Sequence, residues 1–257
     1  MKKILAWSLI VLTIFLSQIT NAQQFSLGAR GGISIPNLSA SGSSQNPLNT
    51  GYKSRFGPDA AVTGEYSLSS LFSLEAMVEY SSQGGKKSGM QAFPTPAAMA
   101  AMFPAGQAPT YLYANFKSEA KMNYLMVPIL AKFGWNFKNN SPLRVYVDAG
   151  PFAGFLLNAH QVTSGSSMVY ADAQGQQPLT PQPQSFDSTT NIKSQLNTFN
   201  FGVSANVGLA YRIKKSKVCI EGGGNYGFLN IQKGTANGKN NTGAGTVDIG
   251  YAYTFGK

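Results

Sequence analysis

The chain has 257 residues with a formal net charge of +10, and only 12% of it is charged, about half the ~25% usual in soluble domains. That length admits one or two soluble domains or a single barrel. Low charge combined with 28 glycines, 16 phenylalanines and 12 tyrosines excludes disorder and points to strands with much of their surface outside water. Cys219 and His160 are each alone of their kind, which excludes an internal disulfide, a thiolate metal site and a histidine relay; no metal and no cofactor is expected.

Residues 1–22 read as a secretory signal. Lys2 and Lys3 make a basic start, Ile4 to Leu16 an apolar stretch, and Thr20 and Ala22 occupy the −3 and −1 positions of a cut after Ala22. The apolar stretch is shorter than the ~20 residues of a spanning helix, and no later segment is long and apolar enough to be one.

From residue 23 to 257, alternation of period two recurs in eight segments. In chain order they are Phe25 to Pro36, Arg55 to Leu68, Leu71 to Ser82, Ala120 to Trp135, Leu143 to Leu157, Leu196 to Tyr211, Val218 to Asn230 and Thr246 to Lys257. Most exceed the ~9–11 residues with which a tilted strand crosses a bilayer. The connections alternate: "SLSS", "NFKNNSP" and "IKKSK" are short, whereas 82–119 and 158–195 are long loops. Short turns at one end and long loops at the other are the outer-membrane barrel pattern, and an even strand count puts both termini on the periplasmic side.

Alternation does not say which face is wet, but the charges do. Asp59, Glu65, Glu75, Glu79, Asp148, Glu221 and Asp248 lie on the polar faces, as do Arg30, Arg55, Arg144 and Arg212, whereas Lys132 is the one lysine clearly placed there. Arginine concentrated with carboxylates suits a narrow, poorly hydrated interior, where a guanidinium bridges two carboxylates. Glycines such as Gly32, Gly208 and Gly223 share that face and leave room for long side chains. An eight-stranded barrel is just wide enough to be filled in this way. The polar face therefore points inward and Val247, Ile249, Tyr251, Tyr253 and Phe255 point into lipid, with Tyr80, Trp135, Tyr211 and Phe255 as interface aromatics. The expected fold is all-β: an eight-stranded antiparallel transmembrane β-barrel in the bacterial outer membrane.

Several segments carry a resemblance. "YLMVPILAKFGW" (124–135), "VDAGPFAGFLL" (147–157), "FGVSANVGLAYR" (201–212) and "GYAYTFGK" (250–257) resemble the PorT-type small outer-membrane β-barrel family, whose architecture is OmpA/OmpX-like. The resemblance implies fold and location, the barrel-assembly machinery as a partner and, for some members, a link to secretion and gliding machinery. Pro58, Pro128 and Pro151 fall inside strands; a closed barrel has no edges, so bulges or local breaks are expected at them.

The candidate site is a lumen ion-pair network of Arg30, Arg55, Glu65, Glu75, Arg144, Asp148, Arg212 and Glu221. Glu65 and Glu75 flank "SLSS" and need a cation between them, which Arg144 or Arg212 is expected to supply. Arg212 and Glu221 flank "IKKSK" and are expected to be neighbours, and loss of either arginine to alanine is expected to destabilise the barrel. A second candidate is the outer-loop lysines Lys53, Lys86, Lys87, Lys117, Lys121, Lys193, Lys233 and Lys239, opposed there only by Glu119, Asp172 and Asp187; they suit anionic lipid headgroups and phosphates. Nucleic acid is not expected, because no basic-aromatic stacking pattern accompanies the charge. His160 with Ser164, Ser166, Ser167 and Asp172 is a weak basis for hydrolysis, with no nucleophile turn. The expected role is a non-enzymatic, structural, adhesive or interaction protein acting through its surface loops. The alternatives are an accessory of a secretion or surface-assembly machinery, with envelope or secretion proteins as partners, and a small-solute pore.

Overall fold

The computed structural model describes residues 24–40, 46–138, 141–234 and 238–255. The expected signal, 1–22, lies outside them. Eleven strands form in order: β1 (Gln24–Ala40), β2 (Gly57–Ser67), β3 (Phe72–Pro94), β4 (Tyr111–Asn136), β5 (Leu143–Ser164), β6 (Ser166–Ser167), β7 (Gln184–Ser185), β8 (Ser188–Asn191), β9 (Phe199–Ile213), β10 (Ser216–Gly227) and β11 (Asn240–Phe255). A one-turn helix, α1 (Ala97–Ala100), lies between β3 and β4. No helix of the described residues is long and apolar enough to cross a membrane.

Eight strands close a ring. The order β4-β3-β2-β1-β11-β10-β9-β5 is completed by pairing of β4 with β5, every pair antiparallel. Terminal strands β1 and β11 pair from Phe25 opposite Phe255 to Ala40 opposite Asn240, so the described ends meet on the rim that carries the short turns. There, β9 reaches β10 through Lys214 and Lys215, and Lys214 takes the left-handed conformation at φ 57°.

The wall faces lipid with its apolar set. Val62, Val78, Ile129, Val207, Ile249 and Tyr251 are each more than half exposed, while their in-between neighbours Ala61, Met77, Leu130, Gly208 and Asp248 point inward. The side-chain period of two makes this an all-or-none choice, and the strands have placed the polar set inside. Aromatics mark both boundaries, as outer-membrane barrels require. Trp135, Tyr211 and Phe255 are about half exposed at the short-turn rim. The stacked Phe25–Phe255 pair lies on the same rim. Phe155–Phe199 and Phe201–Phe228 mark the opposite level.

Five strands, β1, β3, β4, β5 and β11, are longer than the periodicity implied, β3, β4 and β5 most of all. Residues 82–119 are mostly strand: β3 continues to Pro94 and β4 begins at Tyr111, paired throughout from Ser82 opposite Asn123 to Pro94 opposite Tyr111. The connecting segment is 95–110. Likewise β5 continues to Ser164, and its outer part is covered by β8 (His160 opposite Asn191) after β9 ends. On β4 the outward side chains change from Leu125, Val127 and Ile129 to Asn115, Lys117, Glu119, Lys121 and Asn123. The tall β3–β4–β5 wall therefore rises beyond the apolar band into water.

The prolines act partly as expected. Pro58 is the second residue of β2, and β2–β3 pairing starts only at Asp59. At Pro128 and Pro151 the Cα pairing of β4 with β5 is interrupted between Pro128–Phe152 and Ala131–Ala149 without a change of register. The register shift lies elsewhere, between Asn123 and Tyr124.

Candidate functional site

The lumen holds two chambers of different chemistry. In the inner one, toward the short turns, Glu65 and Glu75 stand directly opposite each other on β2 and β3. Like charges so placed repel unless a cation intervenes, and Lys132 of β4 is that cation. Its Nζ donates to Glu75, lies 3.7 Å from Glu65 and 3.7 Å from Asp148, and sits 4.4 Å over the Tyr146 ring. Lys217 closes Glu65 from the other side. One layer further in, Arg30 donates to Glu79 at 2.8 Å and to Glu221. The Tyr146 hydroxyl donates to the other Glu221 oxygen at 2.9 Å. Asn206 donates to Asp148 at 2.7 Å and Ser81 to Asp59 at 2.8 Å. Small residues make this possible: a Cβ on Gly208 would meet the Tyr146 ring at 2.2 Å. A cavity of about 140 Å³ lies among these groups on the short-turn side.

Of the eight network residues expected from sequence, Arg30, Glu65, Glu75, Asp148 and Glu221 are brought together. Arg144, Arg212 and Arg55 are not part of it. Arg144 donates to the carbonyls of Ser70 (2.9 Å) and Leu71 (3.5 Å), holding the β2–β3 turn. Arg212 pairs across the ladder with Lys217, while Glu221 stands opposite Gly208, so Arg212 and Glu221 are four residues out of register; no carboxylate of the described residues is within ion-pair distance of Arg212. Both arginines line the mouth of the inner cavity. Arg55 is buried at the outer level, where it donates to Glu119 at 2.7 Å and to Ser82 at 2.9 Å. The cations that complete the site, Lys132 and Lys217, and the partners Glu79 and Tyr146 were outside the expected set. Lys132 stood on the inward parity of its strand, which was the available signal.

The outer chamber is apolar. Leu38, Met122, Tyr124, Met126, Phe152, Leu156, Leu196 and Ile231 form one buried cluster inside the ring. Gln83 donates to Asn225 at 3.2 Å, a polar pair between the two chemistries. Sequence alternation could not expose this cluster, because on β4 both parities are apolar here: Met122, Tyr124 and Met126 inward, Leu125 and Val127 outward.

A closed ring with an apolar outer face and a charged interior is an outer-membrane architecture, and a family comparison agrees. The family model "Outer membrane protein beta-barrel domain" matches residues 17–233. The chain belongs to this outer-membrane β-barrel family. It resides accordingly in the bacterial outer membrane. Among solved structures, Neisserial surface protein A is similar over 90% of this chain and 97% of its own, at 13% identity and a TM-score of 0.40. The attachment invasion locus protein Ail of Yersinia pestis is similar over 91% and 100%, at 12% identity and 0.36. A major outer membrane protein of Thermus thermophilus is similar over 91% and 100%, at 13% identity and 0.42. At that distance neither partner nor activity carries over. A comparison with curated proteins gave no match.

On the water-facing side of this outer-membrane barrel, Lys53, Lys86, Lys117, Lys233 and Lys239 are exposed, and Lys87, Lys121 and Lys193 half-buried. Lys53 and Lys86 are held side by side by reciprocal backbone hydrogen bonds of 2.8 and 2.9 Å. Lys121 is 3.4 Å from Glu119. Lys193 donates to the Leu157 carbonyl at 2.8 Å and Lys233 to that of Ser194 at 3.1 Å. The histidine–serine set does not converge. Ser167 donates to its neighbour's carbonyl, that of Met168, at 2.7 Å, and the Asp172 carboxylate accepts the backbone N–H groups of Gln174, Gln176 and Gln177. Among the described residues no cluster of His, Cys, Asp and Glu has the makings of a metal site.

Proposed function

We propose that the protein is a non-enzymatic outer-membrane barrel whose lumen is plugged and whose working surface is the tall outer wall with its loops. The observation that carries this reading is Lys132, buried among Glu65, Glu75 and Asp148 beneath a buried apolar cluster. Ions would have to cross both layers, and a buried pair that loses one partner leaves an uncompensated charge. The small-solute pore is the competing reading. Planar-bilayer conductance of the refolded chain separates them: a silent wild type beside an intermittently conducting Lys132→Met variant supports the plug, and stable wild-type channels overturn it.

The partner this surface fits best is the phosphate-bearing outer leaflet. Lys53 and Lys86, fixed side by side, repel each other unless an anion lies between them. A role as accessory to a secretion or surface-assembly machinery, the PorT-type reading, rests on the segments 124–135 and 147–157, and co-purification of envelope proteins with a tagged chain from intact membranes tests it.

A further inference from the structure

Above the apolar cluster, beneath the outer segments, lies a second cavity of about 240 Å³. Its floor is the inward face of β4, Ala120 and Met122, with Leu196 and Ile231 beside them. Its upper lining belongs to surface segments, including Leu48, Tyr52 and Pro94. It is larger than the ~150 Å³ apolar void that accepts benzene, and it is separate from the ion-paired chamber.

One charged group lines it. Lys87, half-buried on β3 beyond the apolar band, donates to the carbonyl oxygens of Leu48 (2.8 Å) and Pro47 (3.4 Å), and its Nζ lies 4.5 Å over the Tyr52 ring. No carboxylate of the described residues lies within ion-pair distance of it. Burial without a counter-charge pulls its ammonium down to about 8. In the inner chamber, Arg30, Lys132 and Lys217 each have a carboxylate. Lys87 is thus an unpaired cation at the edge of an apolar hollow, and an ammonium so placed gains most from an anion that brings its own apolar body.

We propose that this cavity binds a small apolar monocarboxylate, its hydrocarbon part against Met122, Leu196 and Ile231 and its carboxylate on Lys87. The carbonyls now held by Lys87 leave one of its three donors for the incoming anion; Gln91, Gln161 and Gln232 also line the cavity, their amides donating to the Phe116 carbonyl, Ser118 and Asn240 and each keeping a second N–H.

The test uses the full mature chain in nanodiscs of zwitterionic lipid, with empty nanodiscs subtracted, and octanoate as probe by equilibrium dialysis. Octanol and acetate are the comparators, one without the charge and the other without the tail. Octanoate should bind saturably, one per chain, and more tightly than either. Lys87→Gln should weaken octanoate by about tenfold, the worth of one charged hydrogen bond, and leave octanol unchanged. Ala120→Leu, which fills the floor, should weaken both. Retained heat-modifiable migration on gels establishes that each variant is folded. Octanoate uptake no greater than that of empty discs, equal binding of octanoate and octanol by the wild type, or an unaltered octanoate affinity in folded Lys87→Gln would each overturn the proposal.

Discussion

A single ammonium faces three carboxylates in the inner chamber. Removing it by Lys132→Met leaves the buried carboxylates of Glu65, Glu75 and Asp148 without their shared cation, and breaking a buried pair on one side typically costs about 3–5 kcal/mol. The urea midpoint of the refolded barrel in lipid should fall accordingly, and adding Glu75→Gln to the same chain should restore part of the loss, because one of the stranded charges is then gone. Arg144→Ala belongs to a different class. Its guanidinium holds two turn carbonyls at the rim, where a net hydrogen bond contributes about 0.5–1.5 kcal/mol, so its midpoint should move far less. That ordering reverses the expectation from sequence, and the reason is depth. Parity along a strand says which side chains face inward, and Lys132, Arg144 and Arg212 all do. How far each lies from the rim depends on strand stagger, which no single strand encodes. Arginine was favoured for its bidentate chemistry, yet two of the three cations that pair with carboxylates in the inner chamber, Lys132 and Lys217 beside Arg30, are lysines. Tyr146 helps here: its ring lies under Lys132 and its hydroxyl takes up Glu221.

Strand identity was legible wherever large apolar residues alternate with small or polar ones, and strand length was not. The segment 82–94 contains Gly84, Gly85, Lys86, Lys87 and Gly89, which reads as a loop, yet it is paired with β4 throughout. Gly84 shows why: at φ +120° it occupies a conformation open to glycine, and a Cβ there would strike the Ala120 carbonyl at 1.9 Å. Above the membrane the wall needs no apolar face, so the alternation that identifies strands disappears while the ladder continues. Proteolysis distinguishes a tall hairpin from a long loop. Trypsin added outside intact liposomes should leave Lys86, Lys87, Lys117 and Lys121 uncut, whereas chymotrypsin should cut near Phe103 in the 95–110 tip; rapid tryptic cleavage at Lys87 or Lys117 would mean the hairpin is not formed. The segment between β6 and β7 carries its own local order. Asp172 accepts backbone N–H groups of Gln174, Gln176 and Gln177, and these donors hold its exposed carboxyl below the usual carboxylate range. A lowered folded value means that the turn gains order from the charged form above the ordinary carboxyl value and loses it as pH falls through the lower one. Amide-exchange protection at Gln176 and Gln177 should therefore fade on acidification; Asp172→Asn, which keeps one acceptor oxygen and cannot titrate, should lose that pH dependence, and Asp172→Ala should lower the protection at every pH.

Across the whole molecule, charge is sorted by height. Carboxylates concentrate in the inner half of the lumen, the outer half of the lumen is apolar, and lysine is frequent at both water-facing rims: Lys138, Lys214, Lys215 and Lys217 at the short turns and Lys53, Lys86, Lys117, Lys233 and Lys239 at the outer wall. A barrel so arranged presents a basic rim to the outer leaflet, where anionic headgroups contribute about 1 kcal/mol per nearby lysine and the effect is confined within a Debye length. The wall residues that meet lipid tails are the same in any bilayer, so the lipid-charge dependence of stability isolates the rim. The unfolding midpoint should be higher in vesicles containing anionic phospholipid than in purely zwitterionic ones, and the difference should shrink on raising salt from about 0.05 to about 0.5 M. Replacing Lys53, Lys86 and Lys117 together by glutamine should remove most of that difference while leaving the zwitterionic midpoint in place, because all three are exposed and none has an ion-pair partner among the described residues. An equal midpoint in both lipids for the wild type would assign the lysines to solvation alone and leave the loops, rather than the rim charge, as the contact surface.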